Sequence, residues 1–178
     1  TVCLGAVARA HHDYEACRWK GPRGTVEVLC KFALQQIPSE RFRAIGGPLE
    51  IDGEQTDLSQ VTAGLLSALP GFFVGVRPFP GVRTVAHDGF YGAFSGLGAY
   101  ATQASLMAIV RGRMPRGAKM RYGTHHRVVW RNGDEPDHVA IDGELVALKP
   151  HARVLVEQAG HVRMLVWRTM PSPLQVKD

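Results

Sequence analysis

The chain has 178 residues, 45% hydrophobic and 21% charged, with a formal charge of +5 and a sequence pI of about 9.4. That mixture is too apolar for a disordered chain and too varied for a fibrous one, and the length suits one domain with a substantial core. The positive balance favours anionic partners, whether phosphates, nucleotides, anionic lipid surfaces or nucleic acid, without choosing among them.

Three cysteines, Cys3, Cys17 and Cys30, stand far apart and form no C-x-x-C pair. This spacing argues against a disulfide framework or a zinc ribbon and for a reducing, cytoplasmic setting. The longest apolar stretch, 61–76, is broken by Pro70 and falls short of the roughly 20 residues that a bilayer span needs. No signal peptide is read, and the start at Thr1 on an apolar segment reads as the continuation of a longer chain.

In chain order, Val2-Cys3-Leu4-Gly5-Ala6-Val7 reads as a strand. A polar stretch with His11, His12, Asp13, Tyr14 and Trp19 follows, then the turn Gly21-Pro22-Arg23-Gly24. Thr25 caps a predicted helix in which Val26, Leu29, Phe32, Ala33 and Leu34 recur at helical spacing until Pro38 stops it. From Phe42 the period changes to two: a strand ending at Ile51, an Asp52-Gly53 turn, a strand around 58–66, and an apolar segment 72–76 leading to Pro78 and Pro80. A second helix is predicted over 93–113, with Leu97, Tyr100, Ala101, Ala104, Met107, Ala108 and Val110 on one face.

Strand signals return at 127–130, 138–141, 152–156 and 162–167, with turns at Arg131-Asn132-Gly133-Asp134 and Asp142-Gly143. Two helices among about nine short strands predict an α+β fold, mainly an antiparallel β-sandwich with two peripheral helices. The domain is expected to span 1–170, with 171–178 as a flexible tail.

The tetrapeptide Ile-Asp-Gly-Glu occurs twice, at 51–54 and 141–144. An Asp-Gly pair supplies the positive φ angles of a tight two-residue turn, so both copies read as hairpins. A third Asp-Gly pair, Asp88-Gly89, closes the proline-led loop that begins at Phe79. It suits an oxygen-ligand site for Mg²⁺ and equally a plain turn or helix cap. Arg111, Arg113, Arg116, Lys119 and Arg121 cluster beyond the second helix. They read either as a solvated face complementing the helix dipole or as a patch facing anions or a membrane. Tyr122 is their one interleaved aromatic, which speaks against a stacking platform for single-stranded nucleic acid. His11-His12 and His125-His126 lack the spacing of a zinc site, and no phosphate-binding glycine loop or G-x-S-x-G elbow is present.

Taken in order, these segments resemble the C-terminal domain of the diacylglycerol kinase and sphingosine kinase-like lipid kinases, a group related in fold to NAD kinases. The similarity runs from Gly5 to about Trp167. It rests on the helix led by Gly24, on Leu49-Glu50-Ile51-Asp52-Gly53-Glu54, and on Gly71-Phe72-Phe73-Val74-Gly75-Val76-Arg77-Pro78-Phe79-Pro80-Gly81. It continues through His87-Asp88-Gly89-Phe90, Arg111-Gly112-Arg113 and Tyr122-Gly123-Thr124-His125 to Val139-Ala140-Ile141-Asp142-Gly143-Glu144 and two closing strands.

The resemblance implies ATP and Mg²⁺ as cofactors and transfer of the γ-phosphoryl group to a lipid hydroxyl, of diacylglycerol or a sphingoid base, at a membrane surface. It also implies an N-terminal nucleotide-binding half with a Gly-Gly-Asp-Gly-Thr motif, which these 178 residues do not contain. Glu144 matches the family's proton acceptor. Asp88 matches its Mg²⁺-linked acidic position, with the carbonyls of Val85 and Phe90 as companion ligands. Anionic lipids or nucleotide phosphates are the expected partners, nucleic acid is not, and homodimerisation is left open. The expected location is cytoplasmic, at the inner face of the membrane if peripheral to one. An NAD kinase-like phosphotransferase and a non-catalytic lipid- or partner-binding module are the alternative readings; a lipid pocket would draw on Phe72, Phe73, Leu97 and Met107.

Overall fold

Short strands with Leu, Ile, Val, Phe or Trp at their inward positions pair into two antiparallel sheets. The computed structural model describes residues 1–34, 38–56, 61–69, 79, 88–110, 113 and 120–160, with a few helix positions described by backbone alone. In chain order the strands are β1 (Val2–Gly5), β2 (Leu49–Ile51), β3 (Glu54–Thr56), β4 (Ala63–Ser67), β5 (Phe90–Ser95) and β6 (Met120–His125). They continue with β7 (Arg127–Arg131), β8 (Asp137–Ile141), β9 (Glu144–Leu148) and β10 (Arg153–Glu157). The larger sheet has the order β6-β5-β4-β1-β8-β9 and the smaller β10-β7-β2-β3. The helices are α1 (Ala6–Glu15), α2 (Pro22–Ala33) and α3 (Ala99–Val110), with a 3₁₀ turn at Ser39–Phe42.

The main core fills the space between the sheets. Leu4, Leu66, Phe90, Phe94 and Val139 of the larger sheet meet Leu49, Ile51, Val128 and Trp130 of the smaller, with Ile45 and Val61 added from loops. Trp130 is almost wholly buried, and its indole N–H donates to the Gly46 carbonyl at 2.9 Å, the partner a buried indole requires. On the other face of the larger sheet α1 contacts β1, β4, β8 and β9. There Ala6 and Phe42 pack with Ala63 and Ala99 in a second cluster. The result is an α+β fold dominated by antiparallel strands, with sheet on sheet and helices outside.

The structure corrects the sequence reading in several places, beginning with α2, which starts at Pro22 and so contains Thr25 within it, where a turn over 21–24 and a cap at Thr25 were expected. Residues 6–15 form α1 instead of ending a strand and entering a loop; this helix turns a charged residue, Arg9, inward, so its buried face carries no apolar stripe to read. Residues 93–95 belong to β5, not to the second helix. They lie between β4 and β6, where hydrogen bonding on both sides decides the conformation over helical spacing, and Tyr100, assigned to the buried face, is exposed. The basic segment ends in β6, a strand that was not predicted. Segments 72–76 and 162–167 and the expected tail lie outside the described residues. No helix among the described residues is long and apolar enough to cross a membrane.

The β1–α1 junction depends on Gly5. It holds φ +60° and ψ −131°, and a Cβ there would stand 2.3 Å from the Thr62 carbonyl oxygen. Gly21 also has positive φ, but with open space around it. Gly5→Ala is therefore expected to cost about 3 kcal/mol in urea unfolding, and Gly21→Ala nearer 1 kcal/mol. Equal losses would remove the steric explanation.

Candidate functional site

The two Ile-Asp-Gly-Glu copies fold alike and are used differently. Asp52 and Gly53 have φ 53° and 87°, Asp142 and Gly143 have φ 48° and 91°, and in each case the flanking Ile and Glu pair across the turn. Both are hairpins, as expected. The first joins β2 to β3 in the smaller sheet and the second joins β8 to β9 in the larger.

In the first copy the aspartate carries the load. The chain crosses from the larger sheet to the smaller at His126, between β6 and β7, and Asp52 fastens this corner. Its carboxylate accepts the His126 and Arg127 backbone N–H groups at 2.8 and 2.9 Å and lies 2.9 Å from Nδ1 of His125. The Asp52 N–H in turn donates to the Arg127 carbonyl. Glu54 is 80% exposed and faces Arg121 at 3.8 Å.

A carboxylate holding an imidazole by Nδ1 is also the geometry of a catalytic dyad, in which Nε2 is left to act. Here Nε2 is buried without a hydrogen-bond partner among the described residues, and the ring lies over Gly92, where a Cβ would stand 2.6 Å from the imidazole. The pair therefore clamps the corner. Burial works against ionisation of Asp52, but the two backbone N–H groups and the His125 imidazole outweigh it and hold the carboxyl below its ordinary value. A depressed folded-state pKa gives stability that is complete above the unfolded value, about 3.9, and lost as pH falls through the folded one. Asp52→Ala should cost about 2 kcal/mol at neutral pH, with the gap from wild type narrowing below about pH 4. A pH-independent gap would contradict the clamp.

In the second copy the glutamate is exposed and makes no ion pair among the described residues. Glu144 is exposed at the start of β9, the edge strand among the described residues, and Nε2 of His11 on α1 lies 2.6 Å from the Gly143 carbonyl, bracing the turn from the side. Among the other expected site residues, Asp88 is 73% exposed, with Oδ1 3.9 Å from Nδ1 of His126. Phe90 is buried on β5 and Val85 lies outside the described residues. Arg113 is exposed, while Arg121 is turned inward to Thr56 and Glu54. Arg111, Arg116 and Lys119 lie outside the described residues, as do Phe72 and Phe73. Leu97 is buried, and its carbonyl accepts the Thr62 hydroxyl.

The sheet keeps Asp88 and Glu144 apart. β5 and β9 are separated by β4, β1 and β8, and four strand spacings of about 4.8 Å put roughly 19 Å between them along the sheet. Among the described residues no group of three or more His, Cys, Asp or Glu side chains converges as a metal site. A comparison with protein-family models and with curated proteins finds no match.

Sequence reasoning missed the Asp52–His125 clamp and the buried pair of Arg9 with Asp137. The Arg9 guanidinium donates to both Asp137 carboxylate oxygens and to the carbonyls of Arg41 and Arg43, and both partners are about 5% exposed. Nothing local marks either pairing, since the partners are 73 and 128 residues apart.

Proposed function

We propose that the chain forms the acceptor-side domain of a lipid kinase, with Glu144 as the general base that takes the proton of a lipid hydroxyl. The observation that carries this reading is the contrast between two identical turns: both glutamates are exposed, but Glu54 faces Arg121 at 3.8 Å, whereas Glu144 has no ion-pair partner among the described residues and sits on a turn braced by His11. A carboxylate on a rigid hairpin at an open sheet edge can meet a substrate delivered from a membrane surface. Proton removal from the hydroxyl accompanies attack of its oxygen on the γ-phosphorus, the bond from that phosphorus to the bridging oxygen breaks, and ADP leaves.

Asp88 offers a solvent-facing carboxylate that suits a hydrated Mg²⁺, and the resemblance would add the carbonyls of Val85 and Phe90 to it. Such an ion would supply positive charge. Held at Asp88, roughly 19 Å along the sheet from Glu144, it would lie away from a phosphoryl group transferred at Glu144. The nucleotide site itself falls to the N-terminal half that the resemblance implies.

The test joins the chain to a nucleotide-binding half and supplies ATP, Mg²⁺ and micelles of diacylglycerol or sphingosine. A phosphorylated lipid supports the reading. Transfer to NAD instead would make the protein a nucleotide kinase. Folded protein that binds lipid but transfers nothing would leave a binding module.

A further inference from the structure

Helix α2 packs toward the rest of the fold yet keeps an apolar line on its open side. Val26 and Cys30 stand four residues apart along that side and Leu34, just past the helix end with its N–H on the Cys30 carbonyl, continues the interval; Val26 is 57% and Leu34 67% exposed, and Cys30 is exposed as well. Trp19, half exposed, extends the line beyond the N-terminal end of the helix. Its ring lies under two guanidinium groups, Arg18 at 5.3 Å and Arg23 at 5.8 Å from the centroid, and Lys20 lies over Tyr14 at 5.1 Å. An amphipathic helix of ordinary design turns such residues inward. Here the exposed face carries an indole, two aliphatic side chains and a rim of charge.

The rim decides what fits. Arg18, Lys20, Arg23 and Lys31 outnumber Glu15 and Glu27, and the carboxylates are taken by Lys20 at 3.0 Å and Lys31 at 2.7 Å. The two arginines thus remain as cations beside the tryptophan. An amphipathic indole flanked by arginines, continued by aliphatic groups along one helix face, is the pattern that seats a helix at the boundary between headgroups and acyl chains. We propose that Trp19 and the exposed face of α2 dock this protein on an anionic bilayer, with Trp19, Val26 and Leu34 entering the interface and Arg18 and Arg23 pairing with lipid phosphates. Docking of this kind goes beyond the phosphoryl-transfer reading and does not depend on it.

The test is sedimentation of the full chain with vesicles of phosphatidylcholine, with and without phosphatidylserine. Wild type should bind the serine-containing vesicles and release them in high salt. Trp19→Ser combined with Leu34→Ser should weaken binding by roughly tenfold or more, and Arg18→Gln with Arg23→Gln by a similar factor. Leu155→Ser, an exposed apolar position on β10, should change nothing. Three results would overturn the proposal: no binding by folded wild type, binding indifferent to both double variants, or a self-association of the chain that the same variants abolish, which would give the face to a second copy. Because the readout is binding, it stands or falls separately from the kinase assay.

Discussion

Glu144→Gln is expected to lower phosphoryl transfer to a lipid hydroxyl by roughly 10²–10⁴-fold, the usual contribution of a positioned general base. Glutamine keeps the size and the hydrogen-bonding reach of glutamate and removes only its capacity to take a proton. The unfolding midpoint should stay within about 0.5 kcal/mol of wild type, because the side chain is exposed and the Asp142-Gly143 turn is untouched. Glu54→Gln is the matched control, with the same local spelling and the same turn conformation, and it should leave turnover unchanged. Full activity in Glu144→Gln, or an equal loss in Glu54→Gln, would remove Glu144 as the base.

The largest effect on stability is expected at the junction of α1, β8 and the segment after the 3₁₀ turn. Asp137→Ala leaves the Arg9 guanidinium buried with its countercharge gone, a defect that costs about 3–5 kcal/mol. Arg9→Met does comparable damage by another route, since the Arg41 and Arg43 carbonyls lose a donor and Asp137 its partner. Against a total of about 5–15 kcal/mol for a domain, either change removes a large share. Arg9→Met with Asp137→Leu should be milder than either single variant, because no lone charge is then buried. Urea unfolding followed by circular dichroism gives all four corners of this cycle. A double variant as unstable as the sum of the singles would mean that the two residues do not act as a pair.

The strands β7, β8 and β10 and both Asp-Gly hairpins were legible in the sequence, because short-range rules govern them. Alternation reports which face of a strand is buried, and Asp-Gly reports positive φ. The helix α1 was not legible for a reason with physical content. Its inward contact is an ion pair whose partner lies 128 residues away, so a polar run with two histidines looked like a loop. β5 failed in the opposite sense: residues 99–110 do form a helix, and extending it backward took in three residues that the sheet claims from both sides. For the candidate site, the turn bearing Glu144 was readable and its distance from Asp88 was not. Sheet order is a property of the whole chain, and no local motif encodes which two hairpins end as neighbours.

The corner at His126 has a consequence for how the molecule comes apart. A single run of chain supplies the β6 edge of one sheet and the middle of the other, and Asp52, from a turn remote in sequence, is bonded on both sides of the bend. Neither sheet can peel away while the other stays whole. Their fates are mechanically joined at this corner, so loosening one sheet there loosens the strand at the middle of the other.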